Sequence, residues 1–259
     1  MILQVAEVEL EIEPVQRSTH GDRGALEWGI GRIVGASGRA SIGATVIAPT
    51  SIVPGMAGRI RASQCFELPA ALSPDRVDVV PQLAHALWVW ECAGLELGEA
   101  AVYAVGSDVS RLIERVAAWR CGGQVIRLQQ GGRRADDSSA ADAVQIETTD
   151  PALAIEALSA IFRRAPGVVA AVCTANSAVI NAILESAPMW ARFVLATDVT
   201  DPATIDFYNN VHRKGSRILT VPAAPAAMFD EAWHGQARQH LERASRIMQI
   251  DSLAAACKA

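Results

Sequence analysis

Residues 101–129, AVYAVGSDVSRLIERVAAWRCGGQVIRLQ, decide the fold of this chain. The run of apolar residues at 101–105 predicts a buried strand, and Gly106 then predicts a turn into a helix over 109–121. A second buried strand is predicted at 124–128, after a pair of glycines. A strand, a crossover helix and a parallel strand form one right-handed βαβ unit, the element that begins a dinucleotide-binding sheet.

Composition limits the classes of protein to which the chain can belong. Its 259 residues are 51% hydrophobic, enough for a full core in one large domain or two smaller ones. The net charge of −5, with no basic tail, argues against a nucleic-acid partner. No apolar run reaches the roughly 18–20 residues that span a bilayer, and the N-terminus does not resemble a signal peptide. Five scattered cysteines without a CxxC pair predict reduced thiols in a cytoplasmic protein.

The remaining sequence divides by its pattern. Residues 1–80 show short apolar runs between glycine- and proline-containing turns, which predict β-strands at 2–8, 31–34, 44–47 and 59–60. Residues 81–225 alternate predicted strands with helices, which indicates a parallel sheet covered on both faces, and 226–259 are predicted to be helical. A short helix is predicted between Pro74 and Pro81, followed by a longer one at 82–92. The last two strands are predicted at 207–211 and 217–221.

Four sequence motifs carry a family resemblance. In order they are GIGRIVGASGRASIGATVIAP (29–49), CFELPAALSPDRVDVVPQLAHAL (65–87), GLELGEAAVYAVGSDVSRLIERVAAWRCGGQVIRL (94–128) and VHRKGSRILTV (211–221). The chain resembles the medium-chain dehydrogenase/reductase family, in a form shorter than usual at both ends. The resemblance implies an α/β fold: a Rossmann-like doubly wound parallel sheet plus a reduced, mostly β GroES-like N-terminal domain. It also implies a homodimer, in which the strand at 216–221 pairs across a two-fold axis.

Zinc is not expected. Catalytic zinc needs three protein ligands and an open position. The cysteine-bearing motif of the family has no counterpart here, and Leu26-Glu27-Trp28 stands at the family's Gly-His-Glu position, so Glu27 replaces the histidine ligand. His20 is read as a solvated loop side chain.

The dinucleotide fingerprint GxGxxG is only partly present. Gly106 keeps the tight turn, and with Ser107 it is a candidate to contact a cofactor, but Asp108 and Arg111 replace the second and third glycines. Asp108 can instead cap the helix, where it uses the backbone donors that would bind phosphate.

The residues at the end of the second strand of the βαβ unit indicate whether NAD or NADP would bind. No acidic residue stands there to bind the ribose of NAD, because Leu128, Gln129 and Gln130 occupy that region. If a cofactor binds, Arg133 and Arg134 favour NADP, since their charges suit a 2′-phosphate. The alternative is that both arginines lie in a solvated loop.

Acid–base chemistry has two candidate residues. His85 lies on the predicted helix that, in the family, borders the cleft between domains, and Glu27 would approach the same cleft. The alternative is that His85 has a structural role, with its hydrogen bonds made at a domain or subunit interface. Two later predicted strands are followed by candidate ligand or helix-capping residues, namely Asn176, Thr197 and Asp198. The C-terminal segment contains Trp233, His234 and His240, which are interpreted as packing or surface residues.

Three functions remain open at this point. The first is a zinc-independent NAD(P)H oxidoreductase acting on a small carbonyl or enoyl metabolite, with His85 or a water supplying the proton. The second is a cofactor-free isomerase, cyclase or dehydratase that uses His85 and Glu27. The third is a non-catalytic pseudoenzyme subunit. A small-molecule substrate is expected for the first two, and a homodimer for all three.

Overall fold

The structure is a computed structural model of the whole chain. It describes residues 9–17, 28–36, 42–49, 58–61, 65–105, 111–122, 124–129, 143–147, 151–164, 167–173, 176–196, 204–223, 228, 233–250 and 253. The chain separates into two compact units, one formed by Met1–His85 with Ala224–Ala259 and the other by Ala86–Ala223.

The first unit contains an antiparallel sheet of five strands in the order β4-β1-β2-β3-β5. Its three predicted strands at 31–34, 44–47 and 59–60 are confirmed, while the one at 2–8 lies outside the described residues. The inward side chains of β2 and β3 are branched and buried, as β-propensity favours. The strands are β1 Glu9–Arg17, β2 Trp28–Ala36, β3 Thr45–Pro49, β4 Gly58–Arg61 and β5 Phe66–Glu67.

The helices after this sheet differ from the prediction at Pro81. The structure has α1 at Pro74–Val77 and α2 at Val79–Ala93, so the predicted boundary at Pro81 was wrong. Pro81 lies in the first turn of α2, where a backbone N–H would have no partner within the helix. Proline is therefore tolerated there without ending the helix. The first unit also contains α6, His234–Met248, which confirms the predicted helix in 226–259.

The second unit is built on a parallel sheet of six strands in the order β11-β10-β9-β6-β7-β8. Its helices lie on both faces, as the alternating sequence pattern predicted. The strands are β6 Ala100–Val105, β7 Val125–Gln129, β8 Ala143–Glu147, β9 Val168–Cys173, β10 Arg192–Leu195 and β11 Arg217–Thr220. The helices are α3 Arg111–Cys121, α4 Pro151–Phe162 and α5 Ser177–Ser186.

The strand predicted at 207–211 is wrong, because Tyr208–His212 forms a π-helical turn. The carboxylate of Asp206 accepts a hydrogen bond from the backbone N–H of Asn209 at 3.0 Å, which starts a helical turn. The rings of Tyr208 and His212 stack with centroids 5.7 Å apart, an i,i+4 contact that a strand cannot make. The bond from the backbone N–H of Asn209, together with one from its side-chain Nδ2 at 2.7 Å, lowers the pKa of Asp206.

A large apolar cluster of the second unit lies on one face of the sheet. Ala100, Val102 and Ala104 of β6 point to this face, where α4 and α5 cover them. Leu158 and Phe162 of α4 are among the buried residues that pack there. On the described part of the chain, no helix is long and apolar enough to cross a membrane.

Candidate functional site

The carboxyl ends of the central strands meet at one edge of the parallel sheet. Val105, the last residue of β6, lies beside Gln129 of β7 on one side and Cys173 of β9 on the other. The segments that follow these three strands therefore begin at neighbouring points. In open α/β sheets this edge is where ligands bind, so it is the candidate site.

Most of the residues predicted for this site lie outside the described residues. This group consists of Glu27, Gly106, Ser107, Asp108, Arg133, Arg134, Thr197 and Asp198. Glu27 directly precedes β2, and Arg111 is the first residue of α3. Their proposed roles stay predictions.

The end of β7 is described and bears on cofactor choice. The strand ends at Gln129, so the residue type at the position where an acidic residue would bind the ribose of NAD is neutral. A glutamine side chain can both donate to and accept from hydroxyl groups. The position therefore lacks the charge that distinguishes NAD from NADP but keeps the capacity to form hydrogen bonds.

A buried polar pair lies between β6 and α3, behind the candidate site. The hydroxyl of Tyr103 donates a hydrogen bond to Oε2 of Glu114. The two residues are only 1% and 4% exposed. Glu114 belongs to the first turn of α3, where the positive end of the helix dipole stabilises a carboxylate. The same end of α3 is the one that would receive a pyrophosphate, so Glu114 places an acidic group close to that position.

The sequence contained a signal for this pair that our sequence reasoning missed. Tyr103 stands in the middle of a strand predicted to be buried, and a buried tyrosine hydroxyl normally has a hydrogen-bonding partner. The acidic residue nearest in the following helix is Glu114. Sequence reasoning considered only the glycine positions of the fingerprint and the Asp108 cap at the start of this helix.

A second polar contact fixes α3 against α2. The indole Nε1 of Trp90 donates to the backbone carbonyl of Ile113 at 2.7 Å, and Trp90 is fully buried. A carbonyl near the N-terminal end of a helix already accepts a hydrogen bond within that helix. The bond from Trp90 is therefore not needed to pair this carbonyl, and its effect is to orient α3 relative to α2. The first turn of α3 is thus held by Trp90 and by the Tyr103–Glu114 pair.

His85 lies on α2 and is 3% exposed. Trp88, one turn further along, is 2% exposed. Both side chains are thus buried, and the alternative of a histidine hydrogen-bonded at an interface stays a prediction. Its proposed role in proton transfer stays a prediction.

Asn176 is a helix cap. Its side-chain oxygen accepts hydrogen bonds from the backbone N–H groups of Ala178 at 2.9 Å and Val179 at 3.2 Å. This is the N-cap arrangement of α5 and confirms the capping interpretation.

The described cysteines do not have the environment of a nucleophile. Burial raises the pKa of Cys65 to about 11 and also raises the pKa of Cys92. Cys121 is fully buried at the end of α3. A cysteine reacts as its thiolate, so these raised pKa values keep Cys65 and Cys92 unreactive near neutral pH. The side chain of Cys173 lies outside the described residues.

The described residues contain no cluster of three or more His, Cys, Asp or Glu that could hold a metal ion. Glu27 and His20, which the zinc argument used, lie outside those residues.

No protein-family model and no curated protein matches this sequence. Solved structures do share its fold. Galactitol-1-phosphate dehydrogenase from Escherichia coli is similar over 96% of this chain and 83% of its own, with 13% identity and a TM-score of 0.67. An alcohol dehydrogenase superfamily protein from Novosphingobium aromaticivorans is similar over 93% and 79%, with 16% identity and a TM-score of 0.66.

A third similar structure contains a nucleotide. It is a short chain alcohol dehydrogenase from E. coli CFT073 complexed with the cofactor NADH, similar over 91% of this chain and 81% of its own. Its identity is 14% and its TM-score 0.63. At such low identity the likeness concerns the fold. The chain therefore has the fold of the medium-chain dehydrogenase/reductase family, as its four sequence motifs predicted.

Proposed function

We propose that the chain is a zinc-independent NAD(P)H-type oxidoreductase that acts on a small carbonyl or enoyl metabolite. The observation that supports this most is the register of the sheet, in which Val105, Gln129 and Cys173 end side by side. A dinucleotide lies across this edge in sheets of this type. The dehydrogenases with the same fold include one complexed with NADH.

On this proposal, separate residues bind the cofactor and supply the proton. Gly106 and Ser107 would form the turn that meets the pyrophosphate, and Arg133 with Arg134 would bind a 2′-phosphate, which favours NADP. When bound, the nicotinamide would supply a hydride. His85 or a bound water would supply the proton, and no residue here is assigned to a metal.

Melting temperature in the presence of cofactor tests this function. A ligand that binds the folded chain but not the unfolded chain stabilises the folded state by about 2.7 kcal/mol when its concentration is a hundred times its dissociation constant. We expect NADPH to raise the melting temperature more than NADH does. The Arg133→Gln/Arg134→Gln double variant should reduce the NADPH effect to that of NADH, while NADH binding stays unchanged. No shift with either cofactor at millimolar concentration would contradict the proposal.

A second function is favoured by the Tyr103–Glu114 pair. The buried acidic group in the first turn of α3 opposes a pyrophosphate at the same helix end, and Asp108 adds a second acidic residue in the loop before it. On this proposal the chain has lost its dinucleotide and is either a cofactor-free enzyme using His85 and Glu27 or a non-catalytic partner.

Glu114→Gln separates the two functions. Glutamine keeps an acceptor for the hydroxyl of Tyr103 but removes the acidic group. If the first function holds, wild type binds NADPH and Glu114→Gln binds it equally or more tightly. If the second holds, wild type does not bind, and a purified activity lost in His85→Ala would identify an enzyme rather than a partner.

A further inference from the structure

Arg127 lies at the centre of β7, an inner strand of the parallel sheet. Its neighbours Ile126 and Leu128 are 0% and 4% exposed and belong to the apolar cluster under α4 and α5. Successive side chains of a strand point to opposite faces, so Arg127 points to the other face, on which Tyr103 meets α3. Inner strands of parallel sheets are normally apolar on both faces, so a charged residue at this place needs an explanation.

Part of the guanidinium group of Arg127 is buried. The residue as a whole is partly exposed, as is usual for an arginine whose head reaches towards water. The Nε atom, however, is buried and donates to no described acceptor. Since Nε–H belongs to the charged group itself, its burial without an acceptor is unfavourable. The position therefore suits a ligand that brings its own acceptor.

The two residues in register with Arg127 are uncharged. They are Tyr103 of β6 on one side and Gln145 of β8 on the other. Glu114, the buried acidic residue on this face, accepts a hydrogen bond from Tyr103. A guanidinium group pairs best with carboxylate or phosphate oxygens, to which it donates two parallel hydrogen bonds. The ligand that suits Arg127 is therefore an anion.

Arg127 also lies close to the carboxyl edge of the sheet. It is two residues before Gln129, the end of β7, which corresponds to about 7 Å along a strand. An extended arginine side chain has a similar length, so its terminal nitrogens can reach this edge. In dinucleotide-binding sheets the ribose of the adenosine lies at the end of this strand. Gln129 is neutral, so the last residue of the strand does not offer the guanidinium group a carboxylate.

We propose that Arg127 is a specificity-determining residue that binds the 2′-phosphate of NADP from within β7. This inference rests on the proposed oxidoreductase function, and it adds a residue of the strand to Arg133 and Arg134, which follow β7 in the sequence. The backbone of Arg127 is fixed by its pairing with β6 and β8, so little backbone conformational entropy is lost on binding. Since the three arginines share one phosphate, their contributions are not additive, and loss of any of them weakens the preference for NADP.

Arg127→Met should change stability and cofactor choice in opposite directions. Methionine keeps an unbranched side chain and removes the buried Nε–H. Without cofactor the melting temperature should rise by about 2–4 °C, because an unpaired charged donor is no longer buried. The affinity for NADPH should fall about tenfold or more, to that for NADH, because hydrogen bonds between charged groups are lost. The affinity for NADH should stay unchanged.

Arg120→Met is the matched control. Arg120 lies in the last turn of α3, at the end of the helix remote from the candidate site, and its replacement removes the same charge. The ratio of the two affinities should stay unchanged, and the melting temperature should not rise, since a cation near a helix C-terminus is stabilising. Arg127→Lys keeps the charge but loses the planar set of donors, so its preference for NADPH should lie between those of wild type and Arg127→Met. This variant provides the test if Arg127→Met does not fold.

Titration calorimetry of the full chain with NADPH and NADH, together with thermal denaturation of the ligand-free chain, measures these quantities. A wild-type ratio of affinities in Arg127→Met overturns the role of Arg127, and so does a wild-type chain that binds NADH as tightly as NADPH. Both results leave the oxidoreductase function standing. A ligand-free Arg127→Met chain that melts below wild type shows that Arg127 pairs within the protein, which also overturns the inference. Failure of wild type to bind either cofactor overturns both the inference and the function on which it rests.

Discussion

The two faces of the parallel sheet in the second unit are organised differently. The face covered by α4 and α5 is apolar throughout its buried cluster, from Val102 of β6 to Phe193 of β10. The face covered by α3 contains the Tyr103–Glu114 pair and, beside Tyr103 in register, Arg127 of β7. The buried Nε of Arg127 donates to no described acceptor. The cluster on the first face is apolar throughout, whereas the second face combines apolar burial, as at Ala101 and Val116, with directed hydrogen bonds that hold a helix.

This difference has a physical basis. Apolar burial has no direction, so its stabilisation depends on the area removed from water and not on the angle of one bond. A hydrogen bond between a hydroxyl and a carboxyl group requires one distance and one angle, so it fixes the position of α3. The start of α3, which follows β6 at the candidate site, is thus held by directed hydrogen bonds.

The largest expected effect comes from the apolar face. Phe193 is 1% exposed, and Phe193→Ala should lower the free energy of unfolding by about 3–5 kcal/mol, because it removes buried surface and leaves a cavity. Urea denaturation measures the change. Leu97→Ala is the control, since Leu97 is 82% exposed and its loss should have little effect. If the two variants lowered the free energy of unfolding equally, burial at Phe193 would not be the source of the stability assigned to this face.

A smaller effect is expected on the polar face. Tyr103→Phe keeps the ring but removes the hydroxyl donor, and should lower the free energy of unfolding by about 1–3 kcal/mol. Glu114→Gln should cost less, because the amide oxygen still accepts from the hydroxyl. The double variant gives the coupling free energy of the pair. A coupling near zero would show that the pair does not hold α3.

The smallest expected effect lies at the start of α5. Asn176→Ala should lower the free energy of unfolding by about 1 kcal/mol, since two backbone N–H groups lose their acceptor. Asn176→Asp is the matched control and should remain close to wild type, because a carboxylate caps equally well. If Asn176→Asp were as destabilised as Asn176→Ala, the side-chain oxygen would not be the stabilising group.

Sequence reasoning succeeded where the pattern was local. The run AVYAV predicted β6, and the alternation of strands and helices predicted the parallel sheet. It failed at Pro81 and at 207–211, where the outcome depended on position within a turn and on a side-chain cap. A proline in a first turn and one in a helix interior look alike in a sequence, although only the second disrupts the helix.

The sequence by itself determined the fold class, the family resemblance and the apolar face, because residue periodicity and motif order are written along the chain. Tertiary structure decided which groups face each other. Tyr103 and Glu114 are 11 residues apart, and Trp190 meets Lys214 and Gly215 only through the pairing of β10 with β11. Such contacts depend on how helices and strands pack, and the backbone strain at Trp190, whose φ is +66°, is a property of that packing alone.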